Sequence, residues 1–466
     1  MEENRSMVKL TMAIVMITSF ITPFMGNAIN LGIPQMALEF GVGQSLLNWV
    51  VTSYLLASAA FLLPFGRLAD IVGRKKVFTV GMFLFALTAL GSGFAWSFSM
   101  FIIFRVLQGI ASAMIFGTSM AILTSVVPPK ERGKAMGLSA ASTYIGLSLG
   151  PVLGGVICST IGWRGIFYFN FALALVVLCL TLAKLSGEWL GAVDKFDKWG
   201  GILWILGILL FLYGLTDITA GFQYMITFIL GLTLLIAFVV YETKISNPLL
   251  PIRMFMNNRA FTFSNLAALI NYSATFALTF LMSLYLQNVQ NIETSQSGLI
   301  LLSQPILMAA LSPLAGRLSD RINSQILASV GMAITTLGLF FFIFLDEKTS
   351  ILLVIINLAF IGLGFAFFSS PNSNAVMSSV DRTLYGVASS TLGTMRLLGQ
   401  TLSMTIVALI TSLSMKNLTL DSPDYVTSFL QSSRASFTVF SVLCCIGIFA
   451  SLARGSAPQT MRNNSD

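Results

Sequence analysis

Residues Pro64–Val77 read P-F-G-R-L-A-D-I-V-G-R-K-K-V, and residues Pro313–Asp320 read P-L-A-G-R-L-S-D. The first stretch gathers five charged side chains (Arg67, Asp70, Arg74, Lys75 and Lys76) into fourteen residues of a chain that is 9% charged and 56% hydrophobic. Both stretches contain G-R-L-x-D, and each follows an apolar run of about twenty residues. A charged motif that recurs after equivalent runs, about 250 residues apart, indicates a duplicated unit.

Composition places that unit in a membrane. Mean hydropathy is +0.86 and 12% of residues are aromatic. Fourteen apolar spans can be counted, from about 10–29 and 48–66 at one end to about 384–412 and 435–453 at the other. A helix needs roughly 20 apolar residues to cross a hydrocarbon core about 30 Å thick, and its backbone polar groups must be satisfied internally. The fold class expected is therefore an all-α, multi-pass membrane protein. The first run lacks a small-residue cleavage site and is read as a retained helix, not a signal peptide.

Charge sets orientation. With a cytoplasmic N-terminus, the inside segments hold about 20 Lys and Arg and the outside ones only Arg164, Lys348, Lys416 and Arg434. That asymmetry follows the positive-inside rule, puts both termini in the cytoplasm and accounts for the net charge of +8 without nucleic acid. The repeat then divides the chain. Residues 1–184 form an N-terminal six-helix bundle, residues 185–258 a linker with two additional helices, and residues 259–466 a C-terminal six-helix bundle with a short tail. Parallel repeats of this kind occur in secondary transporters.

Several chemistries are excluded. The chain has no histidine, so histidine-based triads and HExxH zinc sites are absent. Cys158, Cys179, Cys444 and Cys445 lack ligand spacing, and there is no phosphate-cradling G-x-x-x-x-G-K-[ST]. No enzyme activity, metal or cofactor is implied.

In the opening stretch, Gly66 allows a tight helix exit, and Asp70 can accept hydrogen bonds from free N–H groups at a neighbouring helix end. The basic residues alone would suit a topogenic loop, but that reading does not explain the second G-R-L-x-D. The stretch resembles the loop signature of the major facilitator superfamily, G-x-L-a-D-r-x-G-r-k. The resemblance implies that Asp70 and Arg74 belong to a cytoplasmic latch between the halves, with Gly66, Gly316, Asp320 and Arg321 as its other members. Phe104–Gly109 (F-R-V-L-Q-G) is similar to that family's helix-4 signature. Gly146–Gly155 (G-L-S-L-G-P-V-L-G-G) is similar to its helix-5 antiporter signature. Trp49–Tyr54, Trp163-Arg164 with Asn170, Leu284–Gln287 and Gly298–Leu302 resemble the fourteen-helix drug:proton antiporter branch. The likeness covers roughly residues 10–453 and implies the major facilitator fold, with two extra central helices, in the cell membrane.

Candidate site residues follow, each with a plainer alternative. Arg105, with Gln108, sits in an apolar span at a cost of about 2.5–3.5 kcal/mol on insertion scales. It either serves coupling or substrate binding, as the family likeness implies, or snorkels from near the helix end. Gly146, Gly150 and Gly154 form one stripe that, with Pro151 and Gly155, is expected to act as hinge and seal between halves, or simply to pack closely. Arg396 is placed either to face the cavity opposite Arg105 or to pair with Asp381. Asn27, Asn30, Tyr54, Tyr144, Asn271, Tyr272, Gln304 and Asn357 are cavity candidates. Singly they suit interhelical glue; together they suit a broad apolar pocket.

One departure bears on function. The branch carries an aspartate in helix 1, but Phe24–Pro34 reads F-M-G-N-A-I-N-L-G-I-P, with Met25 where the acid should stand. All 18 acidic residues fall in loops or at span ends, Asp217 nearest the membrane interior. The expected function is export of hydrophobic or amphipathic small molecules by alternating access, coupled to protons and carried out by a monomer in the lipid bilayer. The alternative is an exporter or flippase of anionic or lipid-like amphiphiles without the usual proton site. A sensor using the same fold and an ion channel are weaker readings.

Overall fold

The computed structural model of the chain describes residues 2–42, 47, 49–191, 195–216, 218, 221–414 and 424–454. Among these residues, fourteen helical segments are long and apolar enough to cross a membrane. The first half comprises α1 (Glu2–Phe40), α2 (Trp49–Val72), α3 (Arg74–Gly93), α4 (Phe98–Val126), α5 (Arg132–Thr160) and α6 (Arg164–Lys184). Two helices follow, α7 (Lys198–Thr216) and α8 (Phe222–Glu242). The second half comprises α9 (Arg259–Val289), α10 (Gln296–Ser319), α11 (Ser324–Phe342), α12 (Ile351–Ser378), α13 (Tyr385–Ser414) and α14 (Tyr425–Leu452).

Each half has its own apolar core, one around Phe24, Phe85, Phe101 and Phe167, the other around Leu281, Phe342, Phe437 and Phe440. The halves meet where α5 packs on α10 and where α2 and α4 pack on α13. Helix α7 lies against both α2 and α13, so the inserted pair touches both halves.

Helix α1 is longer than its apolar run. The sequence marks about 10–29 as apolar, whereas the helix spans Glu2–Phe40. The polar residues past the run find partners: Gln35 Nε2 donates to the Cys158 carbonyl at 3.1 Å and Trp163 Nε1 donates to Glu39 Oε2 at 2.8 Å. An apolar run measures hydrocarbon thickness and not helix length.

The glycine stripe of α5 is expected at the boundary between halves but packs on α1 instead. A Cβ on Gly146 would lie 2.6 Å from the Phe20 carbonyl oxygen, and one on Gly154 2.8 Å from Ala28 Cα. The contact of α5 with the other half is made by Gly133 and Gly137, whose added Cβ atoms would meet the Gly316 and Ser312 carbonyls at 2.3 and 2.4 Å. Gly137 and Gly146 are nine positions apart, two and a half turns at 3.6 residues per turn, so they face opposite sides of α5. Pro151 is exposed and Gly155 has no neighbour closer than 3.7 Å to an added Cβ.

Candidate functional site

Two aspartates close one face of the molecule, the face at which α1 begins. Asp70, at the end of α2, is fully buried. Its Oδ1 accepts the Gly386 N–H at 2.9 Å and its Oδ2 the Val387 N–H at 3.0 Å, at the first turn of α13. Four N–H groups at a helix start lack intrahelical acceptors, and the helix dipole favours an anion there. Gly66 lets α2 come close, since a side chain on it would run into the Gly386 carbonyl.

Arg74 completes this arrangement. Its Nε donates to Asp70 Oδ1 at 2.8 Å, its Nη1 to Ser125 Oγ at 2.8 Å and its Nη2 to the Arg382 carbonyl at 2.5 Å. The Tyr385 ring lies between two guanidiniums, those of Arg74 and Arg132, each 5.4 Å from its centroid.

The second copy repeats the geometry without the arginine. Asp320 Oδ1 accepts the Gly133 N–H at 2.6 Å and Oδ2 the Lys134 N–H at 2.9 Å, at the start of α5. Gly316 makes the close approach here. Arg321, expected as a latch member, is exposed and forms no described ion pair with Asp320. The position equivalent to Arg74, four residues after the aspartate, is Ser324. Burial pushes the Asp320 carboxyl above the ordinary carboxylate range, against the opposing pull of the two N–H donors.

A third carboxylate, read from sequence only as linker, joins the same face. Glu188 Oε1 accepts the Lys75 N–H at 2.8 Å and Oε2 the Lys76 N–H at 3.2 Å at the start of α3. The Gly191 N–H donates to the Asp70 carbonyl at 2.7 Å, so residues 188–191 strap the α2–α3 turn. The charge of Glu188, four residues past the end of α6, is the local signal, and it does not say which helix start the acid caps.

Beyond the clamps, between the halves, lies a cavity of about 110 Å³. Its walls include Ser19, Phe116, Ser139 and Tyr144 from the first half and Tyr272, Ser369, Ser373 and Arg396 from the second. Arg396 Nη2 donates to Ser373 Oγ at 2.6 Å, and its guanidinium stands 5.6 Å from the Tyr272 centroid. Its Nε is buried and has no partner among the described residues. Phe365 meets Tyr144 and Tyr272 edge-on, at centroid distances of 6.1 and 5.3 Å. Among the described residues, no carboxylate lines this cavity.

The pair considered between Arg396 and Asp381 does not form. Asp381 precedes α13 and is exposed, whereas Arg396 lies eleven helical residues past Tyr385, roughly 16 Å at 1.5 Å per residue. Nor does Arg105 face the cavity opposite Arg396. It is 2% exposed inside the first half, where its Nε donates to the Val50 carbonyl and its Nη1 to Gln108 Oε1, both at 2.8 Å. Its guanidinium lies 4.5 Å from the Tyr54 centroid, and Tyr54 Oη pairs with Ser112 Oγ at 2.7 Å. Met25 Sδ lies 3.9 Å from Arg105 Nη1, so a thioether occupies the place of a counter-ion.

The other candidates divide. Tyr144 and Tyr272 line the cavity. Asn27 and Asn357 tie helices together, donating to the Leu147 and Gly338 carbonyls at 2.9 Å each. Asn271 is fully buried with both amide atoms unpartnered among the described residues, Gln304 is buried in α10, and Asn30 is exposed and is not one of the cavity-lining residues. Asp217 and Lys416 lie outside the described residues. The buried acids among the described residues are Asp70 and Glu242, at 0% and 2% exposure.

Two six-helix halves, joined at paired aspartate clamps around a central cavity, define a multi-pass membrane transporter. The family model "Major Facilitator Superfamily" matches residues 15–404 and 264–465, and the chain belongs to that family. It is 28% identical over 445 residues to the riboflavin transporter RibZ of Clostridioides difficile, covering 94% of this chain and 96% of the relative. It is 30% identical over 384 residues to the multidrug resistance protein Stp of Mycobacterium tuberculosis, covering 81% and 71%. Among solved structures it resembles the human organic anion transporter MFSD10, with a TM-score of 0.64 at 15% identity over 97% of this chain and 99% of that one.

Proposed function

We propose that this transporter exports neutral or anionic amphipathic molecules with a planar aromatic part by alternating access between its two halves. The observation that carries this reading is the cavity wall: Arg396 is its charged side chain, the Phe116, Tyr144 and Tyr272 rings line it with Arg396, and no carboxylate lines it among the described residues. A guanidinium on the wall offers charge-assisted hydrogen bonds to an anionic or carbonyl-bearing group, and aromatic walls accept flat apolar surface. A cationic drug would meet uncompensated positive charge there. Relatives named for riboflavin and for multidrug resistance are compatible with a cavity that takes flat, varied molecules.

Alternating access needs a gate on each face, and the Asp70 and Asp320 clamps are the gate on the cytoplasmic one. Both clamps are engaged, which this reading takes as the state closed on the clamp face. Rocking one half on the other must pull both carboxylates off their helix starts.

The test uses purified protein in liposomes, an imposed pH gradient and a panel of cationic, neutral and anionic dyes. Neutral and anionic dyes should move, and Arg396→Ala should reduce anionic transport at least tenfold. Arg396→Lys should restore it only in part, because a compact ammonium cannot replace the planar fork. Cationic dyes moving against their gradient at wild-type Arg396, with anions ignored, would sink this reading in favour of a drug:proton antiporter of the usual charge preference.

A further inference from the structure

The inserted helices carry a carboxylate arrangement on the clamp face that neither the clamps nor the cavity uses. Asp197 caps α7: its Oδ2 accepts the Gly200 N–H at 3.0 Å and its carbonyl the Gly201 N–H at 3.1 Å. Glu242 ends α8 and is 2% exposed. Its Oε2 accepts the Leu250 N–H at 2.9 Å, but its Oε1 is buried with no donor among the described residues. That orphaned oxygen faces Asp197. A Cβ on Gly200 would stand 2.0 Å from Asp197 Oδ2 and 2.3 Å from Glu242 Oε1, so the two oxygens converge over a bare α-carbon.

The charged and titratable neighbours do not resolve this contact. The Tyr241 hydroxyl donates to the other Asp197 oxygen at 3.3 Å. Lys244 and Arg253 share the wall of a shallow pocket with Glu242, yet none of the described ion pairs involves them. A calcium-like ion takes six to eight oxygens, and no group of three potential ligands occurs among the described residues. Two carboxyl oxygens that both lie within 2.3 Å of the same point over Gly200, one of them dry, repel when both are charged, and a single shared proton relieves the repulsion.

We infer that Asp197 and Glu242 form a proton-binding site, with one proton held between Asp197 Oδ2 and Glu242 Oε1. The site is linked to the Asp70 clamp through an apolar cluster. Leu249 and Leu250, the second held by Glu242, pack in one cluster with Leu63 and Val387, and Val387 supplies one of the two N–H groups that Asp70 accepts. Loss of the proton drives the start of α7 away from the end of α8 and loosens the cluster that holds Leu249, Leu250 and Val387. Proton binding itself does not depend on the transport reading; its effect on gating does, because it takes Asp70 as the gate.

The test combines infrared spectroscopy with hydrogen exchange on the full chain in lipid. Wild-type protein should show a protonated-carboxyl band that fades as pH rises. Protection of the Leu250 and Gly200 amides should fall with it, roughly tenfold. In Glu242→Gln the amide carbonyl still accepts from Leu250, while its NH₂ donates to Asp197 as the proton did. That variant should lack the band and keep its protection at alkaline pH. Asp197→Asn should also lose the band. A band that survives both substitutions, or a Glu242→Gln profile that tracks pH as the wild type does, overturns the site. The expected band accompanied by pH-independent protection at Gly386 and Val387 overturns the link to the gate alone.

Discussion

Asp70 and Asp320 make the same pair of backbone contacts, but only Asp70 has a guanidinium behind it. Hydrogen bonds to charged groups contribute about 1.5–3 kcal/mol each, and leaving a buried arginine uncompensated costs more still. Asp70→Asn should therefore reduce transport more than tenfold while Asp320→Asn reduces it only a few-fold, with both proteins inserted and folded. Equal effects in a vesicle uptake assay would show that Arg74 adds nothing to the clamp. Met25 offers the converse case. Its sulfur sits where a carboxylate would meet Arg105, so Met25→Asp should be tolerated and Met25→Lys should unfold the first half. In the Met25→Asp background, Arg105→Ala should then cost about 3–5 kcal/mol, the penalty of stranding one buried charge. A thermal-melting cycle on the four proteins measures it, and additive changes would mean that the two side chains never pair.

At the scale of elements, close approach decides the outcome. Gly137→Ala pushes a methyl group to within 2.4 Å of a backbone carbonyl on α10, and backbone cannot give way as a side-chain tip can. It should destabilise the closed contact by about 1–3 kcal/mol, whereas Gly155→Ala, with its nearest neighbour at 3.7 Å, should melt like wild type. On the opposite face, the hydrogen bond from Arg164 holds the Glu39 carboxyl below the ordinary carboxylate range, with Trp163 assisting. A depressed carboxyl stabilises at pH above its unfolded value and loses that contribution as pH falls through its folded one. Acidification below the normal carboxylate range should thus free Trp163 and shift its fluorescence; Glu39→Gln should show the acid form at every pH. The clamps were the legible part of this architecture. G-R-L-x-D stands at a helix end, and helix starts attract anions wherever they are, so the chemistry is local even though the partners are 316 and 187 residues away. Glu188, Leu250 and the Tyr385 ring between two arginines were not legible, because nothing near them in sequence says which distant helix they meet. The glycine stripe was misplaced for the same reason: spacing shows that three glycines share a face, not which neighbour the face meets. Arg396 and Arg105 looked alike as lone intramembrane arginines, and only packing separates the cavity wall from the interior of one half.

In the alternating-access cycle proposed above, two clamps related by the internal repeat close one face, and each half, packed around its own core, moves as a unit. The two clamps then act on one closed–open equilibrium, and their free energies combine before the population responds. A strongly closed state hides the first loss: moving an equilibrium from 1:99 to 99:1 takes about 5.5 kcal/mol. Asp320→Asn alone should leave the face closed, Asp70→Asn should open it in part, and the double variant should be mostly open, well beyond the sum of the single changes in population. A cysteine in place of Ser369, on the cavity wall, reports this directly when a charged thiol reagent is supplied from the clamp face. Its modification rate should stay near that of the wild type in Asp320→Asn, rise in Asp70→Asn and rise further in the double variant. The native Cys158 and Cys444 are buried and give a constant background, and Cys179 and Cys445 are exposed on apolar helices that lipid covers. If the double variant reacts no faster than Asp70→Asn, the Asp320 contact is a packing detail of the second half, and the gate has one clamp instead of two.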